Sequence, residues 1–176
     1  RMEQIMIIRL NGQQRNCLFV LILGLALVIV IYALVAGHRQ DQAFRANYQL
    51  YQQAIALMGE GQYDQALQRF QGLDAHSQAT FQVLYMSAFC ESQTGDYAAA
   101  ASHMQMAQEA RPALVQDAKF LQRYGIILLH LGNHEGAFLY LKESLKYPSD
   151  PATVEETEKY LAELNNEAGR GGEADG

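Results

Sequence analysis

His130 and His134 stand four residues apart, the spacing at which two imidazoles on one helical face can share a metal ion. Gly132 and Asn133 lie between them and read as a turn, so the pair is read as turn histidines. His38, His76 and His103 are scattered. Neither Cys17 nor Cys90 has a neighbouring Cys or His at ligand spacing, and no Cys follows the apolar run in lipobox position. One cysteine at the edge of that run and one far beyond it argue against an intrachain disulfide, and Cys90 is expected to be a small core residue. The serines lack a nucleophile-elbow context. The GRGG at 169–172 is no phosphate loop, because no strand precedes it and no helix is expected after it. These residues together predict no enzyme, no metal and no cofactor.

Charge removes another class of function. Residues 38–176 carry ten Lys and Arg against eighteen Asp and Glu, a net charge of −8, and no basic run occurs anywhere. A phosphate-backbone partner is excluded on those grounds, so no nucleic acid is expected.

The elements that hold these residues begin with Cys17 to Ala36, CLFVLILGLALVIVIYALVA, twenty residues without a charge. A helix of that length crosses a hydrocarbon layer about 30 Å thick. The run exceeds the apolar region of a signal peptide, about 7 to 15 residues, and a buried core helix would show a polar stripe that this one lacks. Residues 17–37 are therefore predicted as a transmembrane helix behind a short flank at 1–16, in contact with lipid through residues 17–36. Arg1, Arg9 and Arg15 precede it and Arg39 and Arg45 follow, a slight excess that places the soluble part outside the cytoplasm of a bacterial plasma membrane. Arg1 stands ahead of Met2, so the natural chain is expected to start at Met2 or further upstream; without Arg1 the excess vanishes.

Beyond the span, apolar positions recur at three- and four-residue spacing, β-branched alternation is absent, and Gly or Pro interrupts at intervals. Helices are predicted near 42–59, 63–74, 78–93, 97–110, 113–131, 134–147 and 151–167, with 38–46 a linker or helix continuation. GQYDQALQRF at 61–70 recurs as GDYAAAASHM at 95–104 and more loosely as GNHEGAFLYL at 132–141. The spacing is 34 residues between the first two copies and 37 between the second and third.

Aligned on their glycines, the copies share a pattern: a large apolar residue, a small one four later, Gly, an aromatic two after it, Ala, a large apolar residue and Pro. The first copy gives Leu50, Ala54, Gly61, Tyr63, Ala66 and Phe70, without the Pro. The second gives Leu84, Ala88, Gly95, Tyr97, Ala100, Met104, Ala107 and Pro112. The third gives Leu121, Gly125, Gly132, His134, Ala137 and Leu141, with Pro148 one position early. The glycines allow positive φ where the first helix of a pair ends, and the small residues let two helix axes approach closely. With its 34-residue helix-turn-helix period the sequence resembles the tetratricopeptide repeat family over residues 47–149, as three repeats at about 47–80, 81–114 and 115–149. The three extra residues before the third copy, within ARPALVQDAKFL, are expected to lengthen the next helix, with Pro112 in its first turn.

Asp150 and Pro151 form an N-cap and first-turn pair, and Val154, Leu161 and Leu164 make an apolar stripe, with Glu155, Glu156, Glu158 and Glu163 on the other, solvated faces. Residues 150–168 are read as the capping helix a solenoid requires, and 169–176 as a disordered tail. The fold class is thus all-α: an N-terminal transmembrane helix, a three-repeat α-solenoid and a C-terminal cap.

The resemblance implies that the chain binds other proteins, taking a peptide or helical segment in a groove lined by the first helix of each pair: Tyr48, Tyr51, Tyr85, Phe89, Lys119, Gln122 and His130. Several of these side chains alternatively only pack between repeats. Lys119 reads as the one clear positive charge on that face. The variety of the family that grips chain ends with Lys and Asn has Tyr51, Ile55, Tyr85 and Phe89 at those positions here, a departure from its pattern. A membrane-tethered adaptor, scaffold or chaperone-like module is the first reading of function, and a permanent structural subunit of a larger membrane assembly is the alternative.

Overall fold

A computed structural model describes residues 12–173. Arg1 and Arg9 and the last three residues lie outside them. The chain divides into two compact units, one up to Ala46 and one from Asn47 onward.

Helix α1 (Gly12–Gly59) runs through both. No Pro interrupts residues 37–46, and Gly37 is the sole strong helix breaker there, so nothing stops the helix between the apolar run and the first repeat. In the first unit the apolar side chains are bare: Leu18 is 48% exposed, Leu23 74% and Val35 49%. Among the described residues one helix is long and apolar enough to cross a membrane, with a mean hydropathy of 3.2 and none of that stretch buried.

The second unit is built from helix pairs. The end of α1 pairs with α2 (Tyr63–Gln71), α4 (Phe81–Thr94) with α5 (Tyr97–Ala110), and α6 (Ala118–His130) with α7 (His134–Ser144). Helix α8 (Pro151–Glu173) then packs on α6 and α7. Among the described residues no strand occurs, and the architecture is an all-α solenoid.

Gly61, Gly95 and Gly132 sit at the turns of the three pairs with φ of +74°, +87° and +75°, which side chains bearing a Cβ rarely adopt. Polar side chains restart the chain after several turns. Asp96 accepts from the amide of Ala99, Asn133 from Gly136 and Asp150 from Thr153, at 3.1, 2.9 and 3.0 Å.

The boundaries depart from the sequence reading where a short polar residue caps a new start. The helix expected over 63–74 ends at Gln71, and a single turn, α3 (Ala75–Gln78), follows with Asp74 accepting from the Ser77 amide at 2.7 Å. The expected lengthened helix at 113–131 does not form. A 3-10 turn over Pro112–Gln116 takes up the extra residues, and Asp117 restarts the chain in extended geometry by accepting from the Phe120 amide at 2.9 Å. Helix α7 ends at Ser144, ahead of Pro148, and α8 runs on to Glu173, past the expected end of the cap at 168.

The core follows the shared pattern. Ala54, Ala66, Ala88, Ala100 and Ala137 are fully buried, and Phe70, Met104, Leu121 and Leu141 are at most 2% exposed. Three clusters result: one around Ala54, Ala66 and Phe70, one around Ala88, Ala100 and Met104, and one around Ala137, Leu141 and Leu164. At Gly125 the helices come so close that a Cβ would lie 2.7 Å from Leu141 Cγ and 3.2 Å from the Ala137 carbonyl oxygen.

One ionisable pair sits within this packing. His103 Nδ1 on α5 lies 2.7 Å from Glu91 Oε2 on α4, and Glu91 is buried. The hydrogen bond to Glu91 holds the imidazole pKa above its ordinary value of 6.5 against the opposing effect of burial. Cys90 beside it is also buried, and burial pushes its thiol up to about 11, so it stays neutral.

Two outcomes follow from this packing. An alanine that replaces glycine inside a helix ordinarily stabilises by about 0.5 to 1 kcal/mol. Gly125→Ala should do the reverse, lowering stability by about 1 to 3 kcal/mol, because the added Cβ would clash with buried Leu141 and crowd the Ala137 carbonyl. Thermal melting of the full chain in mild detergent checks the sign, and a raised Tm would refute the close approach. The pH dependence has a definite sense as well. The folded pKa of His103 is raised, so its contribution is complete below about pH 6.5 and is lost as pH rises through the folded value. The Tm gap between the wild type and His103→Gln should therefore be widest in mild acid and narrow as pH rises through the folded pKa of His103; a gap that widens with pH would contradict it.

Candidate functional site

Successive first helices leave a cavity of about 390 Å³ between them. Helix α4 supplies Phe89, Ser92 and Gln93, α5 supplies Tyr97 from its first turn, and α6 supplies Lys119, Gln122, Arg123, Ile126, Ile127 and His130. The far wall is α8, through Thr153, Glu156 and Tyr160. The repeat pattern explains which side chains arrive there: each first helix turns its small and large apolar positions toward its own partner and leaves the opposite face toward the next first helix.

Four of the seven groove candidates meet in this cavity, but not as free side chains. The Phe89 ring stands edge-on to Tyr63 of the preceding pair, with centroids 5.7 Å apart and planes at 86°. His130 stacks on Tyr97 at 4.2 Å and 9°. Gln122 is buried, and its Nε2 donates to the Thr153 carbonyl at 3.1 Å and to Glu156 Oε2 at 3.0 Å, which fastens α6 to α8. Lys119 Nζ lies 2.9 Å from Asp150 Oδ2, and this contact with the Thr153 bonds holds the Asp150 carboxyl well below the usual carboxylate range. Both partners are largely exposed, so water and salt screen the pair and it adds little to stability.

The other three candidates lie elsewhere. Tyr51 packs its ring 6.1 Å from Phe70 and belongs with the first core cluster. Tyr48 is 57% exposed on α1 and does not line this cavity. Tyr85 faces Phe120 at 5.8 Å and lines the neighbouring cavity; burial pushes its hydroxyl pKa up.

Arg123 is the residue that sequence reasoning passed over, and Lys119 is not the sole cation of this face. The Arg123 guanidinium lies 4.4 Å from the Phe89 centroid and 5.1 Å from that of Tyr85. Among the described residues it forms no ion pair with a carboxylate. Its position one turn after Lys119 on the same helix was the available signal. The α8 wall was missed for a different reason, since a helix read only as a cap carries no expectation of lining anything.

Chemically, the arrangement suits binding. A guanidinium within 4.4 and 5.1 Å of two ring centroids keeps its positive charge, which suits an acidic group, and the rings around it supply apolar area at low entropic cost. Among the described residues no three His, Cys, Asp or Glu side chains gather as a metal site would need.

A family model described as Tetratricopeptide repeat matches residues 51–115 and again 93–151. Several solved structures share the fold. The first such domain of Spaghetti (RPAP3), bound to the HSP90 peptide SRMEEVD, superposes with a TM-score of 0.59 at 16% identity, over 71% of this chain and 94% of that one. PcrH in complex with the chaperone binding region of PopD gives 0.57 at 18% identity, over 69% and 92%. The Yersinia enterocolitica type III secretion chaperone SycD, with a peptide of the translocator YopD, gives 0.53 at 18%, over 66% and 87%. No curated protein sequence matches at a significant level.

Proposed function

The chain belongs to the tetratricopeptide repeat family, and from that membership we propose that its repeats are a protein–protein interaction module, tethered to a membrane by the apolar part of α1. The module takes a segment of another protein along the first helices of its pairs. The structures it is similar to hold a peptide of HSP90, a region of PopD and a peptide of YopD, each a piece of a partner.

The observation that carries this reading is the cavity between α4, α6 and α8, with Arg123 laid on Phe89 and Tyr85 and left without a carboxylate among the described residues. An apolar or amphipathic segment with an acidic residue near one end complements it. Lys119 contributes less to that charge, since Asp150 already neutralises it.

The tether rests on the uncharged run Cys17 to Ala36 and on the exposure of its side chains. Bare Leu, Ile and Val along a whole helix are stable in hydrocarbon and costly in water. The small excess of arginines before the run favours repeats outside the cytoplasm.

For the tether, the full chain should stay in the pellet after alkaline carbonate washing, and Ser102→Cys, placed at an exposed position of α5 in a Cys-free background, should react with an impermeant thiol reagent on intact cells. Recovery in the wash supernatant would overturn the tether, and labelling only after lysis would reverse the orientation. For the binding face, a photo-crosslinking residue at Gln93, which lines the cavity, should yield partner adducts, whereas one at Leu139, exposed on α7, should not. Arg123→Glu should reduce the Gln93 adducts at least tenfold, about 1.4 kcal/mol of binding, with helicity unchanged. Equal adducts from both positions would remove the groove assignment.

A further inference from the structure

The 3-10 turn that absorbs the extra residues does more than bridge two repeats. With α4 and the start of α6 it lines a second, open-mouthed cavity of about 480 Å³. Phe81, Tyr85, Met86, Leu114 and Phe120 make its lining mostly apolar. Leu114 comes from the turn itself and is buried, so the inserted residues form one wall. At the rim stand Arg111, immediately ahead of the turn, and Lys119, which this cavity shares with the one between α4, α6 and α8.

Both arginines next to this apolar space are held by rings. The Arg111 guanidinium lies 4.5 Å from the Phe81 centroid, and Arg123 lies over Tyr85, a lining residue of the cavity. Among the described residues neither forms an ion pair. The one carboxylate in the lining, Asp117, is engaged in capping α6. In a soluble part of net charge −8, two unneutralised guanidiniums beside one apolar cavity are a local reversal of sign.

We propose that this insertion-walled cavity is the specificity pocket of the interaction module, and that its occupant is one bulky apolar side chain, aromatic or branched aliphatic, carried by an acidic segment of the partner. The inference rests on the reading that the repeats bind a segment of another protein. The pocket takes the side chain out of water, while carboxylates on either side of it in the partner meet the charges of Arg111 and Arg123. The inserted turn, by supplying that wall, confers the preference.

The test uses the full chain in detergent micelles and two fluorescent synthetic peptides, one a central Phe flanked by glutamates, the other the same with Ser for Phe. The Phe peptide should bind at least tenfold more tightly. Gln82→Trp, at an exposed position that lines the pocket, should fill it and abolish that difference. Arg111→Glu, also exposed, should weaken both peptides at least tenfold. Unchanged melting establishes that each variant is folded. Equal binding of the two peptides to the wild type overturns the pocket while leaving the binding module intact. A Phe preference that survives Gln82→Trp also overturns it, because the side chain then sits elsewhere. If neither peptide binds, the pocket falls, and the Gln93 adducts decide separately whether the binding module falls with it.

Discussion

The close approach of two helices at positions with little or no side chain is the constraint on which the second unit depends. Ala54 against Ala66, Ala88 against Ala100 and Gly125 against Ala137 set the spacing within each pair, and every one of them is buried. A larger residue would push the axes apart and open the packing beneath. With the spacing fixed, Phe70, Met104 and Leu141 fill the space to either side. The turn glycines at positive φ reverse the chain in the few residues this geometry allows.

The make-up of the face between successive first helices follows from that economy. Because the small and large apolar positions are used within a pair, the remaining face of each first helix is free to hold aromatic and charged groups. Some of those are taken for joining pairs: Tyr63 reaches Phe89, Tyr97 reaches His130, and Gln122 bonds to α8. A face that serves both as joint and as lining is stiffer than one made of free side chains, since those contacts already fix its rotamers.

The cations are divided by how they are neutralised. Lys119 pairs with Asp150, and Lys146 with Glu143. Arg111 and Arg123 rest on aromatic rings instead. A ring attracts a guanidinium without cancelling its charge, so these two stay available to an anion in a chain that is otherwise acidic. The His103–Glu91 pair acts differently: set between α4 and α5 with its carboxylate buried, it ties one pair together and makes that packing sensitive to pH.

The sequence by itself determined the repeat unit, because the residues that make it are constrained one at a time by backbone and volume. A turn that needs positive φ shows as Gly61, Gly95 and Gly132, and a close approach shows as Ala or Gly at a fixed offset; both can be read from a single chain by register alone. The uncharged run of α1 was legible for the same reason, as a property of consecutive residues. Helix ends were less so, since Asp74 and Asp117 act as caps only when the local backbone lets their oxygens reach an amide. The tertiary structure alone decided which aromatic side chains join repeats and which face open space, why Tyr51 sits in the core, and how Arg123 is held. Those outcomes depend on distances between helices far apart in sequence, and periodicity within one helix says which face a residue is on but not what stands opposite it.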